Sequence, residues 1–421
     1  MKDFSSKISK IRKSRLRFIA LARKNSTPLY LYDAVEVKVN LTRFKQAFAK
    51  SGLPVKIFYA IKSNPYPDLL KTIVNEGACL DASSQRELKL ALAAKAKQII
   101  YTGPAKTTEA FRLILRHRKK ITVNLDSFRE LELLAKLAQQ RKVVVRCGVR
   151  VHTAQQQGWT KFGIALDKLR KFYDQARKHS ALKFCGIQFH ISLNKNPKKY
   201  VATLQELAKY LRTNFSTNEL SEFKYVDIGG GFYPAAFEGI HSWNPKQVMD
   251  FGNGANAHFK NILADKFKPR YLPIRTDPIE KFAKEIAKAW RDQIRTLLPS
   301  ARLYAEPGRF ISHSAMHFLL KVADLKDGRV AILDGGTNMI GWEKYQFFYY
   351  APIFNLAHFS STREQPCILY GSLCTPDDLW GYYFYGKKIA IGDILLIPFQ
   401  GAYTYTLAQN FIKAIPQVVN L

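Results

Sequence analysis

Cysteine is scarce in this chain of 421 residues, and the few cysteines are widely spaced. None belongs to a Cys-x-x-Cys pair, and their total of five is odd. These features argue against a disulfide framework and against a zinc site, so we expect no metal and a reducing, cytoplasmic environment. The five are Cys79, Cys147, Cys185, Cys367 and Cys374.

Long apolar runs and acidic residues are also lacking. No run is long enough to cross a bilayer, so we expect no membrane span. The 33 Asp and Glu residues stand against 66 Lys and Arg, which leaves a net charge of +33. This charge would either attract nucleic acid, a membrane surface or an acidic protein, or lie on a solvated surface. Because no nucleic-acid-binding motif accompanies it, we favour the solvated surface.

The N-terminus is where the basic residues are most concentrated. The first 24 residues contain nine Lys or Arg and one Asp, interspersed with apolar residues such as Ile8, Ile11 and Phe18. The segment lacks the long apolar core of a secretory signal. Its pattern fits either a basic helix that covers a surface or a targeting arm. We predict residues 1–26 to be a basic N-terminal extension.

The middle of the chain alternates short apolar runs with helical patterns such as "SFRELELLAKLAQQ". Continuous apolar strands that alternate with helices indicate a parallel sheet. Eight such units predict a closed (β/α)8 barrel over residues 41–308. The predicted strands are 55–61, 79–83, 98–103, 121–126, 143–151, 184–191, 225–231 and 302–308.

The pattern changes after the barrel, where strands follow one another with turns and little helix. Examples are "AMHFLLKVADLK", "GRVAILDGG" and "DILLIPFQG". We predict an all-β domain over residues 309–421, joined by an early strand segment over 27–40. The stretch 240–275, rich in Asn, Gly and Pro, is predicted to be a long loop or insertion before the last barrel helix.

In a barrel of this type the functional site lies at the carboxyl ends of the strands. The residues there include an amine, a glycine run that would admit a phosphate, an arginine fork and a buried acid. Pyridoxal phosphate needs these groups. Each alone has an ordinary alternative, an exposed charge or a simple turn, but together they favour a cofactor site. They are Lys62, Asp81, Asp126, His190, Gly229, Gly230, Gly231, Glu306 and Arg309.

The chain resembles the fold-type III pyridoxal phosphate decarboxylases, which include diaminopimelate, ornithine and arginine decarboxylases. The matching segments run in family order over nearly the whole chain. The resemblance implies a barrel plus β-domain and a homodimer whose active sites are shared between subunits. The segments are "TPLYLYD", "FYAIKSN", "LDASSQREL", "KFGI", "QFHIS", "VDIGGGF", "AEPGRF", "LDGGTN", "GSLCTPDDL" and "GAYTYT".

The resemblance also implies roles for individual residues around the cofactor. Lys62 matches the lysine that bonds covalently to pyridoxal phosphate, and His190 matches the histidine that stacks on its ring. Glu306 matches the acid that faces the pyridine nitrogen, and Asp81 with Glu87 matches an acidic pair nearby. Glu87 has the alternative of being an ordinary acid at a helix N-terminus. The phosphate-binding set would be Gly229, Gly230, Gly231, Arg309 and Tyr403.

A second group of residues belongs to the predicted β-domain. By resemblance, Cys374 and Asp378 reach into the partner subunit's site, where Cys374 returns a proton to the substrate carbon after carbon dioxide departs. Asp334 is expected near the far end of the substrate. The residue after the cysteine is an acid in the best-known relatives but Thr375 here, which cannot offset a distal ammonium as a carboxylate can.

A further departure is that "GGTNMIGWEKY" lacks the arginine that diaminopimelate enzymes place in this segment. We therefore expect a decarboxylase of an amino acid or related metabolite other than standard diaminopimelate or ornithine. One variant presents the amino acid on an acidic carrier protein, which the basic surface would suit. The alternatives are an amino-acid racemase and a non-catalytic binding protein with the same fold.

Overall fold

A computed structural model describes residues 2–156, 161–234, 239–241, 271–341, 349–376 and 378–421, without the side chains of residues 2–7, 239–241, 271–273 and 349–350. The helices are α1 (Lys2–Asn25), α2 (Ala34–Lys50), α3 (Pro67–Asn75), α4 (Gln85–Ala93), α5 (Thr108–Arg116), α6 (Phe128–Gln140), α7 (Leu169–Arg177), α8 (Lys198–Asn214), α9 (Thr217–Leu220), α10 (Ile279–Ala289) and α11 (Arg309–Ser312).

The strands are numbered in the same way along the chain. They are β1 (Leu29–Tyr32), β2 (Val55–Ala60), β3 (Cys79–Ala82), β4 (Ile99–Tyr101), β5 (Ile121–Leu125), β6 (Val145–His152), β7 (Ile164–Ala165), β8 (Leu182–Gln188), β9 (Tyr225–Asp227), β10 (Gly239–His241), β11 (Tyr271–Pro273), β12 (Arg302–Ala305), β13 (Met316–Lys326), β14 (Val330–Leu333), β15 (Tyr349–Tyr350), β16 (Phe354–Asn355), β17 (Glu364–Tyr370), β18 (Leu379–Tyr385), β19 (Ile394–Ile397) and β20 (Val418–Asn420).

Eight parallel strands close into a barrel in the order β2-β3-β4-β5-β6-β8-β9-β12, and β12 pairs again with β2. The strands read as nearly continuous apolar runs because a parallel barrel buries both faces of its sheet. All eight strands predicted from the sequence are present, so the (β/α)8 barrel is confirmed. Every strand points the same way, and their carboxyl ends therefore meet at one rim.

Helix starts in the barrel follow side-chain capping signals. The hydroxyls of Ser84, Thr107 and Ser127 accept backbone N–H groups from the first turns of α4, α5 and α6. Such N-caps satisfy amides that the helix itself leaves unpaired, and each contributes about 1 kcal/mol. Each cap lies just beyond a strand end and so determines where the chain turns away from the rim.

In its described residues, the second compact unit is all-β apart from α1 and short turns. Its main sheet runs β14-β17-β18-β16-β19-β13-β1-β20, and it closes on itself because β13 also pairs with β14. The early strand β1 pairs antiparallel with β13 and parallel with β20. The predicted all-β domain and its early strand are both present.

Two predicted boundaries differ from the structure. Only residues 29–32 of the segment 27–40 form a strand, because Val37, Leu41 and Phe44 bury one face of helix α2, which belongs to the barrel. Residues 309–312 also group with the barrel, as α11. Most of the stretch 240–275 lies outside the described residues, but strands β10 and β11 pair with each other near its two ends.

Helix α1 packs on the β-domain through one apolar face. Ile8, Ile11, Phe18 and Ala22 join a core cluster with β1, β13 and β19, while Leu16 on the outer face is 69% exposed. The basic side chains of α1 lie mostly on that outer face. The N-terminal segment is therefore a basic helix that covers a surface. No helix in the described part of the chain is long and apolar enough to span a membrane.

This packing predicts unequal effects for two substitutions on one helix. Phe18→Ala should lower the free energy of unfolding of the β-domain by about 3 kcal/mol, because it removes a buried ring. Leu16→Ala, two residues away on the exposed face, should change it by less than about 0.5 kcal/mol. Urea unfolding followed by tryptophan fluorescence compares them, and equal effects would show that α1 does not dock.

Candidate active site

The carboxyl-end rim of the barrel brings together the residues that the sequence singled out. Lys62 lies in a short turn directly after β2, and its Nζ atom is 3.9 Å from Oδ2 of Asp81 at the end of β3. Nδ1 of His190, just past β8, is 3.5 Å from Oε2 of Glu306, just past β12. The charge of Lys62 acts on Asp81, His190 and Glu306 alike. These four side chains therefore form one cluster.

Asp81 is fully buried beside the lysine. Its Oδ1 accepts the hydroxyl of Thr102, and its Oδ2 has no hydrogen-bond donor among the described residues. Burial, together with the charge of Glu306, raises the pKa of Asp81 to about 7, although the charge of Lys62 opposes the shift. A buried acceptor of this kind needs a partner, which a bound polar group can supply.

Glu306 is 1% exposed and is held from two sides. Gln188 donates its amide N–H to Oε1 at 3.2 Å. Burial raises the pKa of Glu306, while the charges of Lys62 and Arg150 and a hydrogen bond with Asp227 lower it. The net direction is a raised pKa, which the nearby cations and the hydrogen bonds limit.

His190 is neutral and has one defined tautomer. The backbone N–H of Gly230 donates to Nδ1 at 3.1 Å, so Nδ1 carries no proton and Nε2 carries it. Burial, with the charges of Lys62 and Arg150, places the pKa of His190 well below its ordinary value. The contact between His190 and Glu306 is therefore not an ion pair, and the ring presents itself as an uncharged surface.

The glycine run 229–231 is required by close packing. Gly229 and Gly231 have φ angles of +69° and +87°, which L side chains rarely adopt. A Cβ on Gly231 would lie 1.7 Å from the carbonyl oxygen of Ile191, and one on Gly230 would lie 2.5 Å from that of Glu306. The run thus brings the ends of β8, β9 and β12 together.

The amides of this run are less available than the sequence suggested. The N–H of Gly229 donates to Oδ1 of Asp227 at 2.9 Å, and that of Gly230 donates to His190. Two of the three groups expected to face a phosphate are thus already paired within the protein. The run therefore contributes chiefly the close approach of the strand ends, which side chains would prevent.

The turn that carries Lys62 is locked to the segment after β12. The hydroxyls of Ser63 and Ser312 lie 2.7 Å apart, both buried. A Cβ on Gly308 would lie 2.8 Å from Cβ of Ser63, so the two segments touch directly. Arg309 in that segment is 8% exposed, and its guanidinium lies over the ring of Tyr233 at 5.5 Å. The lysine, the acid and the arginine are therefore held in one rigid frame.

Three residues of the cluster escaped the sequence analysis. Arg150 on β6, Gln188 on β8 and Asp227 on β9 are each at most 9% exposed. All three lie in strands that read as apolar runs. In such runs no alternation of polar and apolar residues shows which side chains face the barrel interior. The sequence feature that could have identified them is a charged or amide side chain inside an apolar run such as "VVVRCGVRV". Burial lowers the pKa of Arg150, while the charge of Glu306 and other acids raises it.

Glu87 makes the contacts of an acid at a helix N-terminus, which is the alternative role given for it above. Its carboxylate accepts the backbone N–H of Ser83 at 2.7 Å, and its own N–H donates to the Ser84 hydroxyl. This reciprocal pairing is typical of a helix N-terminus. Asp126 also lies at the rim; burial raises its pKa, and the charge of Lys106 lowers it.

The cysteines divide as the sequence suggested. Cys374 in the β-domain is exposed, whereas Cys79, Cys147, Cys185 and Cys367 are buried, and all five are free thiols. Thr375 beside Cys374 is partly exposed. Tyr403, also in the β-domain, lies in a turn with a φ angle of +58°.

Two acids of the β-domain serve its structure. Asp378 is 1% exposed, and its carboxylate accepts the N–H and hydroxyl of Thr337 and the N–H of Leu373. Asp334 accepts the hydroxyl of Thr27 and the N–H of Lys321. Contact of both acids with the substrate stays a prediction. Within the domain their oxygens make these hydrogen bonds, and Asp378 holds the loop that carries Cys374.

A barrel rim that gathers a lysine and buried acids in one cluster is typical of pyridoxal-dependent enzymes. The chain belongs to the family described as "Pyridoxal-dependent decarboxylase, pyridoxal binding domain", whose profile matches residues 35–313. It is a carboxy-lyase that uses pyridoxal phosphate to decarboxylate an amino acid. The lysine beside a buried acid and the acceptor without a donor on Asp81 both fit that cofactor.

The chain is similar to curated proteins along nearly all its length. It is 25% identical to a diaminopimelate decarboxylase of Campylobacter jejuni, over 93% of this chain and 89% of that protein. It is 24% identical to a lysine/ornithine decarboxylase of Selenomonas ruminantium, over 93% and 88%. Its fold matches the crystal structure of diaminopimelate decarboxylase from Helicobacter pylori complexed with L-lysine, with a TM-score of 0.77, 20% identity and coverage of 96% and 94%.

The packing of the glycine run predicts a difference between two glycines with similar backbones. Gly77 has a φ angle of +75° with open space around it, so Gly77→Ala should cost only the conformational strain, about 1 kcal/mol. Gly231→Ala adds a collision with backbone and should cost at least twice as much in urea unfolding. Equal losses would show that close packing does not explain the run.

Proposed function

We propose that Lys62 bonds covalently to the aldehyde of pyridoxal phosphate and that Glu306 faces the pyridine nitrogen. The single observation that supports this best is the shared cluster of Lys62, Asp81, His190 and Glu306 at one rim. The Lys62 side chain is 35% exposed, so its amine is accessible to an incoming aldehyde. The bound cofactor supplies a ring that takes up the electron pair released when carbon dioxide leaves.

The remaining residues of the barrel orient and balance this chemistry. Glu306 keeps a negative charge in a buried site, where it is worth more than in water. His190 offers a neutral ring face, which adds no charge to compete with Lys62. Asp81 holds the amine of Lys62 near the rim. Arg309 and Gly231, with Tyr403 of the β-domain, are assigned to the phosphate.

Cys374 is assigned the return of a proton to the substrate carbon, and we propose that it acts in the partner subunit of a homodimer. Its exposure supports this role, since the four other cysteines are buried. Asp378 accepts the N–H of Leu373, directly before the thiol, and two hydrogen bonds from Thr337, which tie the loop around Cys374 to the segment after β14. A rigid loop is what a proton donor needs to reach a defined atom.

The substrate's distal end is assigned to Thr375. A hydroxyl at this position accepts and donates a hydrogen bond but supplies no charge, so a distal ammonium would remain unbalanced there. We therefore propose a substrate whose distal end is neutral or acidic, rather than diaminopimelate or ornithine.

The covalent role of Lys62 predicts a spectroscopic loss. Purified protein should show a visible absorbance band from the bound cofactor, and Lys62→Ala should lose both this band and carbon dioxide release. Lys56→Ala, at the opposite end of β2 from the turn that carries Lys62, should keep both. A Lys62→Ala protein with an unchanged band would contradict the assignment.

The shared site predicts complementation between two inactive variants. Lys62→Ala and Cys374→Ala proteins, each with little activity alone, should form mixed dimers in which one of two sites is intact. Unfolded and refolded together in equal amounts, they should recover about a quarter of wild-type activity. Failure to recover any activity, despite dimers observed by light scattering, would place both residues in one subunit's site.

The role of Thr375 predicts a change in substrate preference. On a panel of L- and D-amino acids, kcat/KM for carbon dioxide release should be higher with neutral or acidic distal ends than with diaminopimelate, lysine or ornithine. Thr375→Glu should raise kcat/KM for the cationic substrates about tenfold, since a charged hydrogen bond is worth about 1.5–3 kcal/mol.

Thr375→Gln is the uncharged control of equal length and should not raise kcat/KM for the cationic substrates. Diaminopimelate as the best wild-type substrate would refute the proposed preference. Loss of chirality without gas release would instead indicate a racemase.

A further inference from the structure

Asp227 is a buried acid at the rim that the proposed chemistry does not yet use. It is 0% exposed, at the end of β9, where its register partner on β8 is Gln188. Oδ1 accepts the N–H of Gly229 at 2.9 Å. Oδ2 is also buried, and no N–H or O–H donor among the described residues reaches it. A fully buried carboxylate oxygen in this position needs an explanation.

The group that meets Asp227 is another carboxyl, that of Glu306. Two ionised carboxylates offer only acceptors to each other, so they repel and form no hydrogen bond. A single proton between them converts the same geometry into a charge-assisted hydrogen bond. The contact of the two side chains therefore implies that one of them is a carboxylic acid.

The surroundings decide which of the two carries the proton. Burial raises the pKa of Glu306 as well, but its Oε1 already accepts the amide of Gln188, and the charges of Lys62 and Arg150 favour its ionised form. For Asp227 the first effect is burial, followed by the charge of Glu306, and both raise its pKa well above the ordinary value of 3.8. The N–H of Gly229 opposes this only in part. The proton therefore belongs on Asp227.

We propose that Asp227 is a protonated positioning residue, which donates its O–H to Glu306 and thereby holds that carboxylate ionised and aimed at the cofactor position. The proposal deepens the proposed function, because it rests on Glu306 as the acid that faces the pyridine nitrogen. It assigns the negative charge at the rim to Glu306 and explains the orphaned oxygen of Asp227. The titratable groups that interact with Asp227 are Glu306, Asp81, Arg150, Tyr225 and Tyr304.

Infrared spectroscopy of the full-length protein tests the protonation state directly. The difference spectrum between wild type and Asp227→Asn at neutral pH should contain the carbonyl stretch of a protonated carboxylic acid, which a carboxylate lacks. It should be present with or without the cofactor, so it does not depend on the assigned role of Glu306. A difference spectrum with only carboxylate bands would overturn the proposal, as would an acid band that persists unchanged in Asp227→Asn.

Thermal unfolding tests the same state through its linkage to pH. The raised pKa of Asp227 means that the folded protein holds a proton that the unfolded chain releases above about pH 4. Stability from this group is therefore complete below that pH and is lost as the pH rises towards the folded value. Relative to wild type, Asp227→Asn should melt at a progressively higher temperature between about pH 5 and about pH 8.

A further variant is the control for the thermal test. Asp174→Asn, at an exposed carboxylate on α7, is the control, and its melting difference should not grow with pH.

Asp227→Ala removes the donor, so the acid limb of the kcat profile should move to higher pH as Glu306 protonates more readily. Asp227→Asn, whose amide N–H replaces the O–H, should restore the limb. A flat melting difference for Asp227→Asn, or a limb that Asn fails to restore, would refute the proposal.

Discussion

The site depends on a barrel that keeps the carboxyl groups at its rim away from water, yet holds some of them charged and others uncharged. Asp81, Asp227 and Glu306 are all at most 1% exposed and lie at the carboxyl ends of three different strands. Burial alone would neutralise each of them, because a charge in a low-dielectric interior is costly. Lys62, Arg150 and the donors on Gln188 and Thr102 offset that cost unequally. The unequal offsets separate the roles of otherwise similar acids.

The barrel supplies the rigidity that this balance needs. Backbone contacts at Gly229, Gly230 and Gly231 bring three strand ends together, and the pair Ser63–Ser312 ties the lysine turn to the segment after Glu306. Small displacements would exchange one hydrogen-bond donor for another and change which acid is ionised. The packing of the rim therefore also determines the charge states of its acids.

The β-domain also uses acidic side chains to hold the segments around its exposed cysteine. The carboxylate of Asp378 accepts the N–H of Leu373, next to Cys374, and Asp334 ties strand β13 to the segment before β1. Both acids belong to motifs that predict contact with substrate. Motif membership alone does not show which hydrogen bonds an acid makes within its own domain.

Periodicity in the sequence by itself determined the eight strands, the β-domain and the position of Lys62, His190 and Glu306 at strand ends, because apolar alternation and turn residues are local signals. The inward orientation of Arg150, Gln188 and Asp227 was decided only in the tertiary structure, since closure of the sheet defines which side of a strand is interior. The structural use of Asp334, Asp378 and the glycine amides was decided there as well. Hydrogen-bond partners far apart in the chain become neighbours only when the fold is complete.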